Sequence, residues 1–218
     1  KSVVDFLMDY GDRFLGKTTV LCKDTPAFIA NRIGVYSIMA VFNVMEKLGL
    51  SIDEVDALTG PISGRPKSAT FRTADVVGID TLVKVAKNTY ADCPNDESRD
   101  MFIVPAYVEK LIENKWLGDK TGNGFFKKVK NAEGKSEIHV LNLKTFEYTP
   151  SAKAKFATVD AAKQIDDVKS RIKALHHGTD KAGDFYRNVT ALVNKYVSFR
   201  IPEIADEIYK IDDAMCAG

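Results

Sequence analysis

The sequence predicts a mainly α-helical protein with a small antiparallel β insert near its middle. Three stretches carry that expectation. The run KDTPAFIANRIGVYSIMAVFNVMEK, Lys23 to Lys47, carries a helix-start signal and then stays apolar on nearly every side. The segment GNGFFKKVKNAEGKSEIHVLNLKTFEYTP alternates apolar and polar residues around NAEGK, the period of a hairpin with a third strand behind it. Beyond Pro150, AAKQIDDVKSRIKALHHG and KAGDFYRNVTALVNKYVSF return to helical spacing.

Taken in order, SVVDFLMDYGDRFLG reads as a helix and TTVLCK as a short extended lead-in. Thr25 is the expected N-cap of the long helix. Pro26 would take its first position, where a missing N–H costs nothing. Gly49 should end that helix. SIDEVDALTG opens on Ser51 with Glu54 three residues later, a capping box. GPISGRPKS is too rich in glycine and proline for regular structure. Two more helices are expected within Ala69 to Tyr90 and another over Arg99 to Lys115.

Composition narrows the class. The 218 residues suffice for one large or two small domains with a sizeable core. Hydrophobic residues make up 45% and charged residues 28%, an ordinary globular balance. A net charge of +1 gives no electrostatic reason to expect nucleic acid or an anionic membrane. The first residues lack the apolar core of a signal peptide, and the longest apolar run, Ile33 to Met45, falls short of the ~20 residues of a membrane span. Cys22, Cys93 and Cys216 have no pairing or metal spacing, so reduced thiols in a cytoplasmic setting are expected. The chain starts without methionine, as an excised piece of a longer protein would.

An internal comparison adds a second level of organisation. Sliding the chain by 157 positions brings Phe28, Asn31, Phe42, Glu46, Asp56 and Ala57 onto Phe185, Asn188, Phe199, Glu203, Asp213 and Ala214. The C-terminal third reads as a partial second copy of the first helices.

Most familiar chemistries find no residues here. No strand leads into G-x-G-x-x-G, and no P-loop or G-x-S-x-G occurs. His176 and His177 read as a helix terminus rather than a metal site, and no metal ligand set is expected. Lys120, Lys127, Lys128, Lys130 and Lys135 are interrupted by acidic and apolar residues and fit solvated strand edges. What remains is the pair Asn31–Arg32 at the mouth of an apolar helix. By residue type, such an asparagine satisfies a nearby backbone group and such an arginine pairs ions at the surface. The functional reading has Asn31 present an amide, donor and acceptor together, to a ligand in a cleft.

DTPAFIANRI resembles the D-T-P-G-F-I-x-N-R-[IL] motif opening the C-terminal helical domain of 3-hydroxyacyl-CoA dehydrogenases. TGPISGRPKSATFRTADVVGIDT resembles that family's G-P-x-x-G-x-P…F-x-x-x-D-x-V-G-L-D segment, and DKTGNGFF its K-T-G-x-G-F-Y close. RIPEIADEIYKIDDAM resembles the degenerate second copy in fused β-oxidation enzymes, and the Arg65–Pro66–Lys67 variant resembles their bacterial form. The resemblance implies a 6-phosphogluconate-dehydrogenase-C-terminal-like helical domain over 1–130, a β-hairpin and linker over 131–150, and a partial second helical repeat over 151–218.

It also implies a function: the substrate-binding and dimerisation part of an enzyme that oxidises (S)-3-hydroxyacyl-CoA to 3-oxoacyl-CoA in fatty-acid β-oxidation. In that family NAD and a His–Glu dyad reside in an upstream Rossmann domain. Neither a Rossmann strand pattern nor the dyad's H-F-F-N-P motif occurs here, so this chain alone is expected to be inactive. Asn31 corresponds to the auxiliary asparagine beside the substrate oxygen. Implied partners are the acyl-CoA substrate, the Rossmann domain, a downstream enoyl-CoA hydratase-like domain, and a second copy of the chain docked on Ile33 to Met45. Alternatively, the second repeat covers that helix within one chain. Ala27 stands where glycine is usual, and Asn188 lacks the flanking proline and arginine, so only packing is expected from it. A reading from another class is a stand-alone helical binding or dimerisation module.

Overall fold

The computed structural model describes residues 2–131 and 133–217. It opens with α1 (Ser2–Arg13), an amphipathic helix in which Gly11 alone is buried. Phe6, Tyr10 and Phe14 stack along its outer side, and Phe6 and Phe14 are 64% and 72% exposed. The TTVLCK segment that follows has no strand partner among the described residues.

The long helix starts later than its sequence signal. α2 spans Ala30–Leu48, with Ile29 rather than Thr25 at the cap position. Ala27 and Phe28 adopt φ of 63° and 50°, left-handed values that cannot continue into a right-handed helix. Instead, Thr25 O accepts the Phe28 amide at 3.0 Å in a turn, and the first helical bond runs from Ile33 N to Ile29 O. The helix ends where expected: Gly49, at φ 62°, donates its N–H back to Glu46 and Met45.

α3 (Ile52–Thr59) opens with the capping box. Glu54 N donates to Ser51 Oγ, and Ser51 N donates to the Glu54 carboxylate. α4 (Phe71–Val77) and α5 (Ile79–Asp92) are the expected pair. The single helix expected over Arg99 to Lys115 is instead a 3-10 turn, Arg99–Phe102, and α6 (Ala106–Glu113). Pro105 divides them, because proline supplies no N–H and drives the residue before it out of helical geometry.

β1 (Phe126–Lys130), β2 (Ser136–Leu141) and β3 (Tyr148–Pro150) form an antiparallel sheet in that order, with Phe126 facing Val140 and Val140 facing Thr149. Four helices follow: α7 (Ala157–Ala162), α8 (Val168–His176), α9 (Lys181–Arg200) and α10 (Ile208–Ala217). Moved along by 157 positions, α3 coincides with 209–216, within α10. α9 begins six residues before the equivalent of α2, because Asp180 caps it by accepting the Ala182 and Gly183 amides and no left-handed pair intervenes.

α2 forms the centre of the core. Ile33, Tyr36, Met39, Ala40, Phe42 and Val44 are at most 3% exposed. α9 and α10 pack against α2 from the second half, and α5 from the first. Side chains also bind the halves: Tyr186 donates to Leu58 O, Arg171 to Ile62 O, and Ser151 and Ala152 to the Asp53 carboxylate. No helix among the described residues is long and apolar enough to cross a membrane.

Candidate functional site

Asn31 and Arg32 are neighbours in sequence, and a helix turns ~100° per residue, so their side chains leave α2 in different directions. Arg32 points inward. It is not a surface residue, as its type suggests, but is 0% exposed. Its Nε donates to Tyr196 Oη at 2.9 Å, Nη2 to Asp96 at 2.9 Å and Nη1 to Glu203 at 2.6 Å. Tyr196 in turn donates to Asp96 at 2.7 Å, and Arg200 pairs with Glu203 and Glu97. Burial of the guanidinium alone would lower its pKa, but the bonds with Tyr196 and Asp96 hold it above the ordinary arginine value. Asp96 stays below the usual carboxylate range: burial pushes it up, and hydrogen bonds from Tyr196 and Arg32 more than offset that. All three nitrogens of the Arg32 guanidinium are committed within the cluster. This cluster joins α2 to α9 and is a structural weld.

Asn31 points outward. It is exposed, and its amide makes no hydrogen bond to the described residues. The backbone-satisfying role usual for its type is therefore vacant. The amide stands at one end of a groove between α2, α4 and α5, with a volume of about 190 Å³. Gly34, Val35 and Ile38, at helical spacing from Asn31, form one wall, and Val77, Leu82 and Val85 face them. No charged side chain lines the groove. A free amide beside an uncharged apolar trough can orient one polar atom of a ligand and shelter an apolar tail. The mid-helix Gly34, three residues past Asn31, was the sequence signal that could have located this wall.

The remaining motif residues hold the groove's scaffold together. Asp56 accepts the Thr70, Phe71 and Arg72 amides, covering the open N-terminus of α4. Asp75, 1% exposed on α4, accepts the Phe125 and Phe126 amides at 2.9 and 2.8 Å. Burial pushes each carboxyl up to about 6, against the pull of those amides. Gly118 and Gly124 lie so close to Asp75 that a Cβ on either would collide with it. Arg72 pairs with Asp119 and Lys120 with Asp80, fastening the same loop to α4 and α5. The sequence elements GNGFF and TADVVGID are thus two halves of a clasp.

In the C-terminal helices the residue that matches Asn31 is not free. Asn188 bonds the Asp184 carbonyl of its own helix at 2.7 Å. His176, at the end of α8, is bonded at both ring nitrogens, to Ile172 O and Thr190 Oγ1. Among the described residues no histidine, cysteine and carboxylate group clusters as a metal site.

Comparison with known proteins bears on the sequence that builds this domain. Residues 28–128 match the family model of the 3-hydroxyacyl-CoA dehydrogenase C-terminal domain. A probable 3-hydroxyacyl-CoA dehydrogenase of Bacillus subtilis is 43% identical over 216 residues, which is 99% of this chain and 27% of that protein. A probable 3-hydroxyacyl-CoA dehydrogenase of Deinococcus radiodurans is 43% identical over 61% of this chain and 38% of its own length. A Rickettsia felis protein named as a fatty acid oxidation complex trifunctional enzyme is 28% identical over 99% of this chain and 28% of itself. The chain spans roughly a quarter to two fifths of these relatives. The match, the motif order and the helical architecture agree: residues 28–128 form a C-terminal domain of the 3-hydroxyacyl-CoA dehydrogenase family.

Proposed function

We propose that this chain is the substrate-side part of an NAD-dependent 3-hydroxyacyl-CoA dehydrogenase, which converts (S)-3-hydroxyacyl-CoA to 3-oxoacyl-CoA in fatty-acid β-oxidation in the cytoplasm. One observation carries the reading: the Asn31 amide is free at the mouth of an uncharged groove, while Arg32 beside it is locked in the core. The amide would donate to the substrate's C3 oxygen and hold it steady as that oxygen loses its proton. The apolar groove would shelter the chain from water.

The sheet among the described residues is a three-stranded antiparallel one, and no glycine-rich strand-to-helix turn is present to seat a pyrophosphate. The residues here do not fit NAD, which when bound supplies the hydride acceptor. An upstream Rossmann domain would hold it, along with the catalytic base. α1 supports such a neighbour. Val3, Phe6, Leu7 and Phe14 expose an apolar face that α2–α10 leave uncovered, and the TTVLCK segment beside it, which joins no strand among the described residues, could add to a sheet edge. By contrast, α9 and α10 already cover much of α2, which favours the second repeat, rather than a second protomer, as the partner of that helix. A downstream hydratase-like domain rests on the resemblance of Arg65–Pro66–Lys67 to the bacterial fused form, with a relative named as a trifunctional enzyme beside it.

The deciding experiment extends the chain upstream in its gene and assays both products with a 3-hydroxyacyl-CoA and NAD. Turnover by the longer protein, absent from the 218-residue chain and reduced by Asn31→Ala, supports the reading. Turnover by the short chain refutes it.

A further inference from the structure

Gly34 stands in the interior of α2, one turn past Asn31 on the same face. Glycine is a weaker helix former than every residue but proline, so an interior glycine needs a reason. The common reason is a close neighbour: at Gly118, Gly124 and Gly183 an added Cβ would collide with Asp75 or with the Gly178 backbone. At Gly34 it would meet no heavy atom within 4 Å. The residue therefore contributes nothing to packing, and what it supplies is room. That room belongs to the groove, whose walls carry no charge and whose Thr73 hydroxyl is already bonded to Ala69 O at 2.6 Å. The Asn31 amide and the Thr81 hydroxyl are the polar side-chain groups of its lining left for a ligand.

We propose that Gly34 is a specificity-determining residue: the side chain missing from this wall admits the methylenes of a straight, saturated acyl chain, starting one turn from the Asn31 amide. The proposal rests on the acyl-CoA reading of the groove given above. The groove's volume, about 190 Å³, suits a run of methylenes. A leucine at 34 would refill the trough, while alanine would narrow it.

The test titrates the 218-residue chain calorimetrically with saturated acyl-CoA thioesters of increasing length. In the unaltered chain each added methylene should tighten Kd about fourfold until the groove is full. Gly34→Leu should abolish that length dependence, and Gly34→Ala should end it at a shorter chain. Because alanine favours the helix and meets no clash, Gly34→Ala should also raise Tm, by about 2–4 °C for a chain of this size. Improved stability with poorer long-chain binding is the signature of a residue kept for space. An unaltered chain whose affinity ignores acyl length overturns the acyl reading of the groove. A length dependence that survives Gly34→Leu overturns the role of Gly34 alone. A lowered Tm in Gly34→Ala would mean that the glycine is there for packing.

Discussion

The ring of Tyr36 lies flat on that of Tyr196, 3.7 Å between centroids and 3° from parallel, so α2 and α9 meet ring on ring close to the C-terminal end of α9. The hydroxyl of Tyr196 reaches from that stack into the Arg32–Asp96 pair. Apolar contact and ion pairing are therefore joined in one side chain, and the helices cannot slide without breaking both.

Removing Arg32 should accordingly be severe. Arg32→Met strips the buried Asp96 of its nearest cation and leaves it Arg200 at 3.3 Å, and breaking a buried pair in this way costs up to about 3–5 kcal/mol. For a chain of this size that corresponds to a Tm lower by ~6–20 °C, read by calorimetry. Arg32→Met combined with Asp96→Leu should recover part of the loss. If the single variant melts normally, the weld is not what holds α9 to α2.

Asn31→Ala should behave in the opposite way. Its amide bonds nothing in the described structure, so Tm should change little, within about 0.5 kcal/mol of stability. In the longer dehydrogenase the same change should lower kcat roughly 10²- to 10³-fold, since a preorganised donor to a developing oxyanion is lost, with a smaller effect on KM. Asn188→Ala should leave the kinetics alone. A stability loss at Asn31 with kcat intact would return this residue to an ordinary capping role.

Ala27 offers a test of backbone strain. At φ 63° it occupies a region that disfavours any side chain, and β-branched ones most. Ala27→Val should destabilise by about 1–3 kcal/mol. Ala27→Gly should be neutral or gain up to ~1 kcal/mol, because relief of the left-handed cost is partly offset by glycine's greater unfolded-state freedom. Urea unfolding of the three proteins decides the order.

Asp75 predicts a pH dependence of definite sign. Its folded pKa, about 6, lies above the ordinary 3.8, so between those values the folded chain keeps a proton that the unfolded chain has released. Stability from this group is full below pH ~4, falls as pH rises to about 6 and is level beyond. The stability of the unaltered protein minus that of Asp75→Asn should therefore shrink by about 1–3 kcal/mol between pH 4 and pH 7. A difference that grows over the same interval would mean that the two amide donors outweigh burial.

Much of this was legible in the sequence because it depends on local rules. The capping box at Ser51, the stop at Gly49 and the strand alternation around NAEGK involve residues a few positions apart. The start of α2 was misjudged because the Thr-Pro signal is also local, whereas the left-handed turn at Ala27 and Phe28 is imposed by the body that buries Ile29 beneath it. Arg32 was misjudged for a related reason. Its partners Asp96, Tyr196 and Glu203 lie 64 to 171 positions away, and no periodicity on α2 announces them. Asn31 was found by resemblance to a motif. Its neighbour Gly34 was visible in the same line but gains its meaning only when α4 and α5 close the other side of the trough.

The weld at Arg32 has a consequence for which downstream residues can change. α9 serves as a backing plate for α2, and Asn188 on it bonds the carbonyl of Asp184 in its own helix. Tyr196 and Glu203 are constrained, because each bonds Arg32 in the first turn of the helix from which Asn31 projects, and Arg200 braces Glu203. A first turn is the part of a helix most prone to fray. Here it is anchored by residues more than 160 positions downstream, so the aim of an amide near the front of the chain is inherited from its far end.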